Sequence, residues 1–147
     1  MEKLFEIEYL PDNTLHYDIR IKLRDVKDTL DIDSYYLKND ANGSDDILIC
    51  LQKILEKWQS VIQQSVQDRP VYLIIDFSDQ YFGGFCFELK EMSEAKFTYG
   101  IIKETYDMNM ESVIYDLKGH EFIKLYEYDT TIENLLFCLK ENIMNLS

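Results

Sequence analysis

Residues Pro70 to Leu89, PVYLIIDFSDQYFGGFCFEL, constrain the fold more than any other stretch of the chain. Val71 to Ile75 is an uninterrupted apolar run rich in β-branched and aromatic side chains. That is the pattern of a strand covered on both faces, and so of a strand in the middle of a sheet. Asp76 to Gln80 ends the run, and beyond it Phe85, Phe87 and Leu89 alternate with Cys86, Glu88 and Lys90, as in a strand with one wetted face. The pair predicts a central hairpin with a polar connection, in which Gly83 and Gly84 allow a bulge or a close approach of backbones.

The flanking segments supply partners for that hairpin. Phe5, Ile7 and Tyr9 alternate with Glu6 and Glu8, and after the turn signal Pro11-Asp12-Asn13-Thr14 the residues Tyr17, Ile19, Ile21 and Leu23 alternate with Asp18, Arg20 and Lys22. Two strands of period two around a turn predict an antiparallel hairpin. Phe97, Tyr99 and Ile101 predict a further strand, and Val113-Ile114-Tyr115 with Phe122 to Tyr128, joined through Lys118-Gly119-His120, predict a closing hairpin with a positive φ at Gly119.

Two stretches carry helical periodicity instead. Ile47, Leu51, Ile54, Leu55, Trp58, Val61, Ile62 and Val66 recur at spacings of three and four, which predicts an amphipathic helix from an N-cap at Ser44 to Gln67, stopped by Asp68-Arg69-Pro70. Thr130 and Glu133 form a T-x-x-E capping box ahead of Ile132, Leu135, Leu136, Leu139 and Ile143, a second such helix. The expected architecture is therefore α+β: one domain over residues 1–147, a mainly antiparallel sheet of about six or seven strands, and both amphipathic helices packed on one face.

Charge narrows the range of partners. Lys and Arg number 15 against 28 Asp and Glu, giving a net charge of -13, while apolar residues at 46% are too many for a disordered chain. Such a field repels phosphate backbones and anionic membranes and draws cationic partners, so a basic protein is expected rather than nucleic acid or membrane. The competing reading is that acidity serves solubility alone. Cys50, Cys86 and Cys138 are widely spaced and lie in apolar patterns, as buried thiols do in a reducing compartment. Glu6 and Glu8 interrupt the N-terminal apolar pattern where a secretory segment would be continuous, and no run approaches membrane-spanning length. A cytoplasmic location is expected.

Two segments stand out as candidate partner-binding surfaces. Asp25 to Asp46 lacks clear periodicity and is rich in aspartate, with Asp31, Asp33 and Asp40 around Tyr35 and Tyr36. Aromatic anchors framed by charge match the composition of binding patches. The plainer reading is that Leu30, Ile32 and Leu37 hold the segment to the core while the aspartates are merely solvated. Glu104, Tyr106, Asp107 and Glu111 form a second acidic and aromatic cluster, with the adaptable Met108 and Met110 among them.

Signals for catalysis are sparse. Asp76 and Asp79 are the one carboxylate pair beside a central strand, suited to acid–base work or to a divalent cation, but aspartates at strand ends also satisfy turn backbone. His16 and His120 lie in different segments, no cysteine has a histidine or a second cysteine beside it, and no phosphate-loop, dinucleotide, serine-hydrolase or zinc-protease motif occurs. No enzyme, catalytic residue, metal ligand or cofactor is expected.

The run Val71 to Gly83, VYLIIDFSDQYFG, in which an apolar strand passes into Asp-Phe-Ser-Asp-Gln-Tyr and then glycine, resembles small bacterial immunity proteins of polymorphic-toxin and contact-dependent inhibition systems. Ile74-Ile75 and Phe82 depart from that pattern. The resemblance implies a cytosolic acidic module that binds and blocks a cognate toxin domain, frequently a basic nuclease. Two alternatives remain: a small metal- or carboxylate-dependent enzyme using Asp76 and Asp79, and an adaptor domain for another basic partner.

Overall fold

Alternation and apolar runs resolve into eight strands and two helices in the computed structural model, which describes residues 2–11, 16–37 and 46–146. The strands are β1 (Phe5–Tyr9), β2 (Ile19–Leu23), β3 (Leu30–Ile32), β4 (Val71–Phe77), β5 (Tyr81–Leu89), β6 (Glu94–Lys103), β7 (Val113–Ile114) and β8 (Phe122–Thr131). The helices are α1 (Ile47–Gln63) and α2 (Ile132–Asn145). All pairings are antiparallel, and the fold is α+β. The strands divide between two sheets, one of three in the order β1-β2-β3 and one of five in the order β7-β4-β5-β6-β8.

The central strand lies where its composition placed it, with β4 flanked by β5 and β7 and buried along nearly its whole length. The three-stranded sheet packs across the inner face of the larger one through aromatic rings. Phe5 of β1 lies 5.2 Å from Phe85 and 5.5 Å from Phe97, whose own rings stack at 4.3 Å. From α1, Trp58 meets Phe85 edge-on at 6.0 Å and donates its indole N–H to the Ser112 carbonyl at 3.0 Å, so the one polar atom of the largest core side chain is satisfied. Cys50, Cys86 and Cys138 are buried reduced thiols.

The helix α2 packs along β1 and α1 and completes the free edge of the smaller sheet. Asn142 accepts the Ile7 N–H on Oδ1 at 2.8 Å and donates from Nδ2 to the Phe5 carbonyl at 3.2 Å, reproducing the two bonds a neighbouring strand would make. One turn earlier, Cys138 Sγ accepts the Leu4 N–H and donates to the Glu2 carbonyl.

Several sequence expectations are corrected. Val113-Ile114 and Phe122 to Tyr128 do not form a hairpin: β7 pairs with β4 and β8 with β6, on opposite edges of the sheet. The long register of β8 on β6, from Glu94↔Thr131 to Ile102↔Phe122, outweighs the two-residue pairing that a local hairpin would offer. Helix α1 is capped by Asp46, whose side chain accepts from the Leu48 and Ile49 amides, and it ends at Gln63 with Val66 exposed. Ser44 lies outside the described residues. The N-cap of α2 is Thr131, which accepts the Asn134 N–H at 3.1 Å, one residue after the predicted Thr130. The segment read as a long loop after Asp25 contains β3, too short to show a period.

Candidate functional site

The site begins with a bulge. Ile74 pairs with Gly84 and Asp76 with Gly83, so Ile75 is an extra residue in β4. Without it, alternation would turn Asp76 to the outer face. With it, Asp76 shares the inner face with Gly83, Phe85 and Tyr99. The bulge needs glycine on the facing strand, since a Cβ at Gly84 would stand 2.2 Å from the Leu73 carbonyl oxygen.

Asp76 is consequently only 8% exposed, and burial pushes its carboxyl up from the ordinary 3.8 to about 6. A hydrogen bond from Tyr81 works against that rise, and the charge of Asp33 adds to it. The Tyr81 phenol is in turn raised, first by the charge of Asp76, and burial raises that of Tyr99. These groups line a cleft of about 390 Å³ between β3 and the inner face of the larger sheet. Its walls are Thr29, Leu30, Asp31 and Ile32 on one side and Tyr99, Ile101 and Leu125 on the other. Asp76 is therefore not one of the turn-capping aspartates that a strand end suggests. Ser78 holds that turn, its hydroxyl donating to the Tyr81 carbonyl at 2.9 Å and accepting the Tyr81 N–H at 3.0 Å.

The segment after β3 is fastened beside the mouth of the cleft. The buried Asp18 accepts both the N–H and the hydroxyl of Ser34, at 3.0 and 2.5 Å. Asp33 accepts the Tyr17 N–H at 2.7 Å and lies 3.2 Å from His16 Nδ1. Leu37 is wholly buried and anchors the far end. Tyr35 remains half exposed, its ring stacked on His16 at 6.1 Å and edge-on to Tyr36 at 4.9 Å. The Tyr36 phenol hydrogen-bonds Asp79, which raises its pKa and ties this segment to the β4–β5 turn. Asp31, in β3, is half-paired with Arg20 at 3.0 Å.

The second candidate segment meets the same turn through its backbone. Glu104 takes a positive φ of 60° and donates its N–H to the Gln80 carbonyl at 2.8 Å, and the Thr105 hydroxyl reaches the Ser78 carbonyl. Tyr106 stands exposed on the short 3-10 turn Thr105–Asp107, and Asp107 Oδ1 lies 3.2 Å from His120 Nε2. Glu111 is exposed and shares a separate hollow with Asp107 and His120.

Two acidic and aromatic surfaces that are distant in sequence thus converge on one turn. Tyr36 reaches the turn through Asp79, and Glu104 and Thr105 reach it through the Gln80 and Ser78 carbonyls. Asp40 lies outside the described residues. Sequence reasoning missed Tyr81 and Tyr99 as members of the site, because their roles depend on the bulge and on β3. Among the described residues, no group of three or more His, Cys, Asp or Glu is arranged to hold a metal ion, and no helix is long and apolar enough to cross a membrane. Comparison with known protein families, with curated proteins and with solved structures returned no match.

Proposed function

We propose that this chain is a stoichiometric binding protein of the immunity type, which neutralises a cognate toxin domain in the cytoplasm by covering a cationic surface, such as the active site of a basic nuclease. The observation that carries the reading is the clustering of Asp33, Asp79 and the tyrosines 35 and 36 at the β4–β5 turn, with Asp31 on the adjoining cleft, on a chain of net charge -13. Carboxylates on a folded platform stand in for phosphates and steer association, while the half-exposed Tyr35, backed by the partly buried Tyr36, anchors it. The catalytic alternative draws on the raised pKa of Asp76. The carboxylate pair on which that alternative rests does not come together, since Asp79 bonds Tyr36 and does not line the cleft.

The test is co-expression with the product of the adjoining gene, followed by co-purification and assay of that product's toxicity. A 1:1 complex with lost toxicity is expected. The triple variant Asp31→Asn, Asp33→Asn, Asp79→Asn should associate more slowly, with a shallower salt dependence. Failure to bind or to protect removes the reading.

A further inference from the structure

The cleft beside Asp76 holds an arrangement that the folded chain does not use. Tyr99 is 3% exposed and lines the cleft, yet its hydroxyl makes no hydrogen bond to any described residue. The Tyr99 hydroxyl and Asp76 Oδ2 both stand beside Gly83, 2.9 and 3.2 Å from where a Cβ would be, so the two oxygens are neighbours in the wall of the cleft, and the absence of a side chain on Gly83 keeps them from being pushed apart. The titratable groups acting on Asp76 are Asp33, which itself holds His16, from the segment after β3 and Tyr81 from β5, with Tyr99 of β6 beside them; Asp31 lines the cleft but is engaged by Arg20. A buried carboxylate with no cation against it, next to an unused phenol oxygen, lacks a donor-only partner. The remaining walls, Leu30, Ile32, Ile101 and Leu125, are apolar and suit a methylene stem.

Resting on the reading that the partner is a basic protein, we infer that this cleft receives a single arginine side chain of that partner, its guanidinium between Asp76 and the hydroxyl of Tyr99. Arginine fits better than lysine, because its planar, weakly hydrated head stacks on tyrosine rings and donates to two acceptors at once. A divalent cation fits poorly, with one buried carboxylate and mostly apolar walls.

The probe is N-acetyl-arginine-amide, titrated into the full chain at pH 7.5 and followed by NMR. N-acetyl-citrulline-amide is the uncharged control of the same shape. Saturable shifts confined to residues around Tyr81, Tyr99 and Ile101 are expected, with citrulline at least about tenfold weaker. Asp76→Asn and Tyr99→Phe should each weaken the arginine probe, and affinity should fall as pH is lowered from 7.5 through 6, where the carboxylate takes up its proton. Shifts scattered over the acidic surface, equal response to citrulline, or indifference to both variants would overturn the assignment. Those outcomes leave the co-purification result untouched, so the cleft and the wider immunity reading fail separately.

Discussion

Replacing Asp76 with asparagine should make the protein more stable at neutral pH, the opposite of what removing a buried hydrogen-bonded residue normally does. The ordinary carboxyl pKa of 3.8 applies to the unfolded chain, and the folded value is about 6. Between those values the folded state holds a proton that the unfolded state has released, so stability falls as pH rises through that window. Above about pH 7 the full penalty is present, about 3 kcal/mol at 1.36 kcal/mol per pKa unit. It shrinks as pH falls towards 3.8 and vanishes below about pH 3, where both states are protonated. Asparagine keeps an acceptor for Tyr81 and carries no charge. At pH 7.5 the variant should therefore unfold roughly 5–10 °C higher than the parent. The check is thermal unfolding of both proteins from pH 4 to 8, with the difference as the readout, so that the general response of a highly acidic chain cancels. A difference that is constant with pH, or a variant less stable at pH 7.5, would refute burial as the cause of the raised pKa.

Asn142→Ala leaves the Ile7 N–H and the Phe5 carbonyl at the edge of β1 unpaired, a loss of about 2–4 kcal/mol, to be seen in urea unfolding and in faster hydrogen exchange at Ile7. Gly83→Ala and Gly84→Ala should behave differently although the residues are adjacent. The first presses on side-chain atoms of Tyr99 and Asp76, at 2.9 to 3.2 Å, which have to shift by a few tenths of an ångström, and should fold at a cost of about 1–3 kcal/mol, while the second drives a carbon to 2.2 Å from the Leu73 carbonyl oxygen of the backbone and should cost more or abolish folding. Comparative thermal melts decide this. Cys86, whose thiol burial pushes up to about 12, should resist alkylation at pH 8 in the native protein and react only after denaturation, as read by mass spectrometry.

What the sequence made legible was whatever a local period can carry. The stripe from Ile47 to Ile62, the apolar run of β4 and the alternation of β1 and β2 each announce an element, because burial of one face repeats every 3.6 or 2 residues. Pairing is not local, so adjacency in sequence points to a β7–β8 hairpin although each strand has a better partner elsewhere. The cleft was hidden for a sharper reason. A single inserted residue, Ile75, reverses which face Asp76 occupies, and alternation read past it assigns the wrong side. The acidic segments were visible as composition, but that they meet at Ser78 to Tyr81 follows from a tyrosine–aspartate bond and two backbone contacts that no pattern marks. Nothing in the stripe of α2 distinguishes Asn142 from a solvated polar position, yet it is buried.

The bonding of Asn142 and Cys138 to β1 sets a timetable for assembly on the ribosome. The Leu4 and Ile7 amides and the Glu2 and Phe5 carbonyls find their final partners only after residues 138–142 have left the exit tunnel. Until then β1 offers an open template to any extended peptide nearby, and interruption of translation before α2 would release a chain with that template permanently uncovered.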